Sequence, residues 1–570
     1  MLPTTGTLFS SVSEAQKAIL IAVGNANQSY KPASNNNRKR WAASCAGAPA
    51  NKCPFYARAA QWADGGVRIT QAVEHTCPAS THLGSKQARS RQYLSHVFRK
   101  YVADRPFVKP DTLISNFPVH RGQRITSQQA RRARRAVLDD LYGDEETGFR
   151  RLEALMHEIH YPRSVRDSIE EVEDPPDGQE DEDRFNAFCD YTEVKTDTGK
   201  CFDSCFVCPY ACVRALLYCI PVIILDSTFI KSRYGMCLFV AAVKDFNNGT
   251  LPVAWGVYSA ENDENWGRFC EQLARTCDFR LLSELREDQA RFSIVSDRNS
   301  SLLKAVREKL PQDLVHHYFC VLHLAKNVRN DYDVACEELF KRLAWAEKKT
   351  HFAYLMEELR DYNYACADQL QALGYEHWAR SYAPAEYRRY GQMTSNAVES
   401  VNSELLQVRE YLPFDCLYRL YFLMMEKFAA RRLRIHGPLE EPLTRYGQSL
   451  RERHLEEARE LSVARSTGGE GSVFNAAFSK TYKVDLNTRS CTCRFYQENQ
   501  FPCGHAFALS LRIGRIPNDV EASVMYGVDN YRKTYEWRMS PIEVDILRET
   551  EALPPRLEKR PGRPRKKQPT

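Results

Sequence analysis

The sequence lacks any stretch long and apolar enough to cross a membrane. No run of about 18 apolar residues occurs among its 570 residues, and a membrane-spanning helix needs roughly that length. The first residues also lack the pattern of a secretory signal peptide. We therefore expect no membrane partner and a reducing compartment, in which the 19 cysteines are thiols or zinc ligands rather than disulfides.

A large net charge is also lacking, but the formal value of +6 hides a strongly basic segment. From Lys86 to Arg135 there are 13 Lys and Arg residues against Asp104 and Asp111. Nucleic acid is the natural partner of such a segment. Helices are expected over 87–101 and 127–142, as in a helix-turn-helix reader of DNA, and the second carries Arg131, Arg132, Arg134 and Arg135. A solvated helical face is the alternative.

Apolar residues are nearly absent from the acidic run 169–183, which predicts a flexible boundary. A hydrophobic content of 43% still supports folded cores elsewhere, so we expect a multidomain α/β protein. The expected segments are an N-terminal zinc module (1–83), a basic helical region (84–165), an acidic linker (166–185), a core (186–330), a helical insertion (331–390), the last core helix (391–430), a helical connector (431–470), a zinc finger (471–525) and a tail (526–570).

Three carboxylates stand at positions that suggest a shared site. Asp226 closes the apolar run 222–226, Asp297 closes 292–297, and Glu399 lies in a helical-looking stretch that begins at 394. Three converging acids can hold two Mg²⁺ ions, which activate an attacking hydroxyl and stabilise a leaving oxygen in phosphodiester chemistry.

The order of elements around these acids makes their convergence plausible. Periodicity predicts strands over 222–226, 236–245, 249–259, 292–297 and 315–320, with helices over 265–277 and 300–310. In a mixed five-stranded sheet of this β-β-β-α-β-α-β order, the first and fourth strands are neighbours. That arrangement would bring Asp226 and Asp297 together.

This order resembles the RNase H-like catalytic core of DDE transposases, and the local motifs are similar to those of the Mutator-like (MuDR/MULE) family. The motifs are Asp226-Ser-Thr-Phe229, Ser296-Asp297-Arg298, Thr394-Ser-Asn396 with Glu399, and Cys320-Val-Leu-His323. The resemblance implies that Asp226, Asp297 and Glu399 are catalytic ligands of two Mg²⁺ or Mn²⁺ ions, and that Cys320 and His323 are a core signature. Ordinary strand-end and helix-cap acids are the alternative.

Between His323 and Glu399 lie 75 residues that look helical. The resemblance implies a helical insertion here, in which Trp345 and Trp378 are candidates for stacking on a displaced base. Packing between buried helices is the favoured alternative for both tryptophans.

Two Cys/His sets have the spacing of zinc sites. Cys491, Cys493, Cys503 and His505 form a Cys-x-Cys-x₉-Cys-x-His pattern that resembles a SWIM zinc finger. Near the N-terminus the set is Cys45, Cys53, His75 and Cys77, with strands expected over 40–44, 55–60 and 67–70. This module resembles WRKY-like and FLYWCH-like DNA-binding domains, which implies that Arg38, Lys39 and Arg40 contact DNA. Protein binding is the alternative. About two structural zinc ions per chain are expected.

Two further patterns complete the sequence. The segment 560–567 resembles an AT-hook whose Arg563 and Arg565 would enter an A·T minor groove, or else a nuclear-import tail, and both readings predict a nuclear protein. Cys201, Cys205, Cys208 and Cys212 imitate a metal cluster, but they alternate with apolar residues and favour packing.

The resemblance as a whole implies a cut-and-paste DNA transposase. It would bind double-stranded DNA at terminal inverted repeats, as a homodimer on paired ends, and join the freed end to target DNA. The alternative is a domesticated, transposase-derived transcription regulator that binds DNA without moving it.

Overall fold

The computed structural model describes residues 2–26, 28–46, 52–78, 90–104, 108, 110–116, 125–142, 145–162, 186–197, 199–230, 234–393, 413–435, 442–465, 468–514, 524–544 and 547–555. The chain divides into two compact units, Met1–Gly148 and Phe149–Thr570. The predicted acidic linker (166–185) and the basic segment 560–567 both lie wholly outside the described residues.

The first unit contains a five-stranded antiparallel sheet in the order β1-β5-β4-β3-β2. Its strands are β1 (Leu8–Phe9), β2 (Tyr30–Pro32), β3 (Arg40–Cys45), β4 (Tyr56–Gln61) and β5 (Val67–Val73). The three strands predicted in this region are thus confirmed. Helix α1 (Val12–Asn25) begins at Ser11, whose hydroxyl accepts the backbone N–H of Glu14, and its apolar side packs on the sheet.

Three further helices follow in the first unit. They are α2 (Arg91–Asp104), α3 (Pro110–Asn116) and α4 (Ser127–Tyr142). Helices α2 and α4 are in contact through buried side chains that include Leu94, Phe98, Ala133 and Val137. The two predicted basic helices are confirmed, and the short α3 lies between them in sequence.

The second unit is built around a seven-stranded sheet in the order β12-β11-β8-β9-β10-β7-β6. The strands are β6 (Ala187–Thr196), β7 (Gly199–Pro209), β8 (Val222–Phe229), β9 (Cys237–Lys244), β10 (Thr250–Tyr258), β11 (Phe292–Ser296) and β12 (Val315–Phe319). The last five are the predicted ones, and β8 and β11 are neighbours, as expected.

The predicted number of five strands was too low, because β6 and β7 extend the sheet beyond β10. Strand β7 contains three of the four cysteines that imitate a metal cluster. Its inner position explains their alternation with apolar residues, since both faces of the strand are covered. Burial raises the pKa of the Cys205 thiol to about 12, which keeps it protonated.

Further helices are described from residue 145 onward. They are α5 (Glu145–His160), α6 (Tyr210–Ala215), α7 (Asp263–Cys277), α8 (Phe279–Leu285), α9 (Ser300–Lys309), α10 (Val321–Asp331), α11 (Val334–Trp345), α12 (Lys349–Tyr362), α13 (Tyr364–Ala372), α14 (Pro413–Ile435), α15 (Arg445–Arg459), α16 (Phe495–Asn499), α17 (Gly504–Arg512) and α18 (Val528–Thr534). None of the described helices is both long and apolar enough to span a bilayer.

The two faces of the central strands belong to different cores. On β8, Ile223 and Leu225 share one core with Trp266 and Phe269 of α7. Val222 and Ile224 share another with residues of the C-terminal cysteine-rich module. Because side chains alternate along a strand, Asp226 belongs to the same face as Val222 and Ile224.

Helices α11, α12 and α13 lie in the segment where the helical insertion is expected, and they bury a third core together with α10. The C-terminal module follows with strands β13 (Ser462–Arg465), β14 (Glu470–Asn475), β15 (Lys480–Asp485) and β16 (Ser490–Cys491), which form one antiparallel sheet.

The chain beyond residue 526 is not simply a tail. Tyr535 is fully buried in the core of the second unit. Leu553 accepts a backbone hydrogen bond from Phe202 and donates one to Lys200, so this segment lies along β7. The sequence prediction underestimated this region because its apolar residues follow no strand or helix period.

Candidate catalytic and zinc sites

Asp226 lies in β8, two residues beyond the last residue of that strand that pairs with the parallel β11, and Asp297 directly follows β11. Strands β8 and β11 pair Val222 with Ser293 and Ile224 with Val295. Continued by two residues, this register sets Asp226 beside Asp297 and keeps both on one face of the sheet. Both residues are half-buried. These two positions therefore supply neighbouring carboxylates that solvent and a substrate can reach.

Short polar contacts fix the turn that carries Asp297. Its Oδ1 accepts the backbone N–H of Asn299 at 3.1 Å. The Asn299 side chain in turn accepts the N–H groups of Ser301 and Leu302 and caps helix α9. Sequence motifs did not identify Asn299, although an Asn before an apolar helix is a recognisable capping signal.

Cys320 and His323 lie next to these carboxylates. The Cys320 N–H donates to the Ser296 carbonyl at 2.7 Å, and the Cys320 sulfur accepts the His323 N–H at 3.5 Å. The pKa of His323 is raised, first by its side-chain hydrogen bond with Cys320 and, more weakly, by the charges of Asp297 and Asp226, while burial opposes the rise. Cys320 and His323 belong to no three-ligand metal group among the described residues, which fits a buttressing role.

Glu399, the third predicted acid, lies outside the described residues, as do Thr394 and Asn396. The preceding chain is described up to Met393, whose carbonyl accepts the N–H of Val321 at 3.1 Å. Val321 begins helix α10 directly after Cys320. Met393 is thus held at the start of helix α10, next to the residues that follow β11 and β12.

The predicted C-terminal ligand set comes together in space. The ligand atoms of Cys491, Cys493, Cys503 and His505 all lie within 4.8 Å of one another. Strand β16 ends at Cys491, and helix α17 begins just after Cys503. The ring of Tyr482 lies 3.9 Å from that of His505, centroid to centroid. Three sulfurs and one nitrogen at this spacing match a closed, structural zinc site.

The pKa values of the thiols in this set also favour the binding of a cation. Hydrogen bonds from the Cys491 and Cys503 thiols hold the pKa of Cys493 well below its ordinary value. The pKa of Cys503 is raised well above its ordinary value, because its proton is shared with the two neighbouring sulfurs. Bound zinc would remove this competition by ionising all three thiols.

The N-terminal set is equally compact, with all four ligand atoms within 4.8 Å. The Cys53 sulfur is 3.5 Å and the Cys77 sulfur 3.4 Å from Nδ1 of His75, whose ring stacks on Phe55 at 3.8 Å. Burial raises the pKa of Cys53, but hydrogen bonds from the Phe55, Cys77 and Thr76 backbone outweigh this effect and lower it to about 6. The site favours a thiolate before any metal arrives.

The predicted DNA-contacting residues of the first unit differ in their exposure to solvent. Arg38, Lys39 and Arg40 are exposed on a turn that the Asn37 side chain holds by accepting two backbone N–H groups. In helix α4, Arg131 and Arg132 are exposed.

The other two arginines of helix α4 are engaged within the unit. Arg134 is buried and donates to the Val108 carbonyl at 2.8 Å. Arg135 forms an ion pair with Asp139 at 2.6 Å. Arg134 therefore cannot touch DNA from this position, contrary to the prediction, because the helix turns it toward the core. Arg563 and Arg565 lie outside the described residues.

The two candidate stacking tryptophans differ sharply. Trp378 is fully buried among Phe340, Phe352 and Tyr375, so it cannot stack on a base in this conformation. Trp345, at the end of helix α11, is 45% exposed. Buried packing was the favoured expectation for both, and it is correct for Trp378 alone.

The comparisons with known families agree with this geometry. Residues 222–327 match the MULE transposase domain, and residues 482–514 match the SWIM zinc finger. No curated protein matches the chain. The first match begins with β8 and includes both Asp226 and Asp297, together with Cys320 and His323. The second includes all four C-terminal zinc ligands.

Proposed function

We propose that this chain, which contains a MULE transposase domain and a SWIM zinc finger, is a cut-and-paste DNA transposase. The single observation that carries the proposal is the register of β8 and β11, which sets Asp226 beside Asp297 inside the transposase domain. The strand order β10-β9-β8-β11-β12 supports assigning this part of the sheet to an RNase H-like core.

The donor chemistry at the strand ends fits Mg²⁺ or Mn²⁺. Carboxylate oxygens are the ligands that these hard cations prefer, whereas the two thiolate-rich sets fit zinc. Two bound Mg²⁺ ions would supply an activated attacking oxygen and a stabilised leaving oxygen. In this proposal Asp226 and Asp297 hold and orient that site, and Cys320 and His323 support its wall.

Glu399 is proposed as the third acid. It lies six positions after Met393, which is anchored beside helix α10, and six positions span at most about 20 Å. The chain between them is therefore long enough to reach the two aspartates. Hydrolysis would free a 3′ hydroxyl at the element end, and this hydroxyl would attack a target phosphodiester at the same site.

The first unit is the proposed reader of terminal inverted repeats. Its compact Cys/His set resembles a WRKY-like or FLYWCH-like zinc module, and the exposed Arg38, Lys39 and Arg40 lie on one turn. Arg131 and Arg132 add a second basic surface on helix α4. A dimer on paired DNA ends, a nuclear location and an AT-hook contact by Arg563 and Arg565 belong to the same proposal.

The second candidate function is a domesticated transcription regulator, which would keep the DNA-binding unit without moving DNA. An excision assay separates the two. Full-length protein is supplied with a donor plasmid carrying matched terminal repeats, and excision and reinsertion are scored. The transposase proposal predicts both events for the wild type and neither for Asp226→Asn. Specific repeat binding without excision, under Mg²⁺ or Mn²⁺, would favour the regulator.

A further inference from the structure

A pocket of about 270 Å³ lies between the segment that follows helices α11 to α13 and the C-terminal zinc finger. Its walls come on one side from Arg494, Gln497 and Glu498 and on the other from Ala383, Pro384, Ala385, Tyr387, Arg388 and Arg389. All of these residues belong to the second unit. Asp226 and Asp297 do not line this pocket, so it is separate from the proposed catalytic edge.

The guanidinium of Arg389 is the central feature of the pocket. Its side chain is 1% exposed, and its charged carbon lies 4.5 Å from the ring centroid of Tyr318. Only a long contact of 3.5 Å joins its Nη1 to the Trp378 carbonyl. Neither its Nε nor its Nη2 has a hydrogen-bond partner among the residues that the structure describes.

Such an arrangement is costly without a ligand. Arginine stays protonated in proteins, so burial cannot be relieved by loss of the charge. Burial does lower the pKa of Arg389, and the charges of Arg380 and Arg494 act in the same direction, while Glu498 and Tyr318 oppose them. A buried cation with two unused donors favours the binding of an anion that accepts from both.

The neighbouring charges favour an anion as well. Glu498 is the only carboxylate in the pocket wall, and Arg380 already neutralises it through an ion pair at 2.7 Å. Arg494 donates to the carbonyls of Ser381 and Ala383, which carry no net charge. Arg388 lines the same pocket and is half-buried. The side chain of Arg388 hydrogen-bonds to Tyr390, so the guanidiniums at the pocket are those of Arg389 and Arg494.

We propose that this pocket binds a phosphate group. Its oxygens would accept from Nε and Nη2 of Arg389 in the bidentate geometry that guanidinium and phosphate share. The phosphate belongs either to a DNA backbone or to free inorganic phosphate. The pocket also touches the zinc site, because the Gln497 side chain both accepts from and donates to the Cys491 backbone, at 3.1 and 3.0 Å. This proposal does not depend on the transposase activity.

The first test titrates inorganic phosphate against the full-length protein at constant ionic strength and follows the thermal midpoint. Phosphate should raise the midpoint of the wild type, and Arg389→Gln should weaken phosphate binding about tenfold, the effect of losing a charge-assisted hydrogen bond. Arg532→Gln removes an exposed, ion-paired arginine outside the pocket and should behave as the wild type. Because Arg389→Gln can impair folding, Arg494→Gln at the pocket wall provides a second variant.

The second test measures the binding of a short labelled DNA duplex of arbitrary sequence by the same proteins. If the phosphate belongs to DNA, Arg389→Gln and Arg494→Gln weaken duplex binding and inorganic phosphate competes with the duplex. If the ligand is free phosphate, duplex binding is unchanged while the thermal shift is still lost. A wild-type midpoint that phosphate leaves unmoved, or an equal shift in both pocket variants, would overturn the proposal.

Discussion

His317 gives the second unit a specific sensitivity to acid. Its Nε2 lies 2.7 Å from the Ser296 hydroxyl, which donates its own proton to the Asp297 carbonyl. We therefore assign the Nε2–H tautomer, in which the neutral ring donates to Ser296. Burial, followed by the charges of the nearby His377 and His316, lowers the pKa of His317 from 6.5 to about 3.

The sign of the effect follows from proton binding. Between pH 6.5 and about 3 the unfolded chain binds a proton at His317 that the folded chain does not, so stability falls as the pH is lowered through this window. The contribution is fully present above pH 6.5. Integrating between pH 7 and pH 5 gives a loss of about 2 kcal/mol from this single group.

The perturbation is His317→Gln, whose amide nitrogen can replace the Nε2–H donor without titrating. The urea-unfolding midpoint is measured by tryptophan fluorescence at pH 7 and pH 5, with zinc present throughout. The acid-induced loss should be about 2 kcal/mol smaller in His317→Gln than in the wild type. The exposed His157→Gln serves as a matched control and should retain the wild-type pH response. Equal pH responses of His317→Gln and the wild type would refute the reasoning.

The other predictions concern zinc, basic residues and packing. Elemental analysis should find about two zinc ions per chain. Cys503→Ala should remove one of them and also lower DNA cleavage, because the finger shares a core with Val222 and Ile224. Unchanged cleavage would contradict this coupling. Arg131→Gln should reduce the slope of log affinity for DNA against log salt concentration by about 1, without a change in stability. Arg134 is buried, so Arg134→Gln should instead destabilise the first unit in thermal unfolding. Trp378→Ala should cost about 3 to 5 kcal/mol in denaturant unfolding, and a cost no larger than that of the half-exposed Trp345→Ala would count against the packing argument.

The parts of the fold that sequence predicted well have strong local periodicity or special chemistry. Strands β8, β9 and β10 are apolar runs, and helix α7 carries Trp266 and Phe269 on one side. The zinc sets were found because four soft ligands at short spacing have few other uses. Both kinds of signal are contained within a short window of sequence.

Other features depend on contacts between distant segments, and local patterns could not reveal them. For the segment of β7, the sequence predicted only apolar packing and no strand. Its place in the sheet depends on pairing with β10 about fifty residues later. The direction in which Arg134 points depends on how helix α4 packs, since Arg131 and Arg132 carry the same charge three and two residues away. The pocket around Arg389 joins residues about a hundred positions apart, and no motif marks it.

The central claim is that Asp226 and Asp297 form a metal-dependent DNA-cleaving site, and its most direct test is single-turnover cleavage of element-end DNA. The wild type and the near-isosteric variants Asp226→Asn and Asp297→Asn are compared at equal, saturating DNA binding, with and without Mg²⁺. The account predicts Mg²⁺-dependent cleavage by the wild type and none by either variant, with DNA affinity retained. Wild-type cleavage rates in either variant would contradict it.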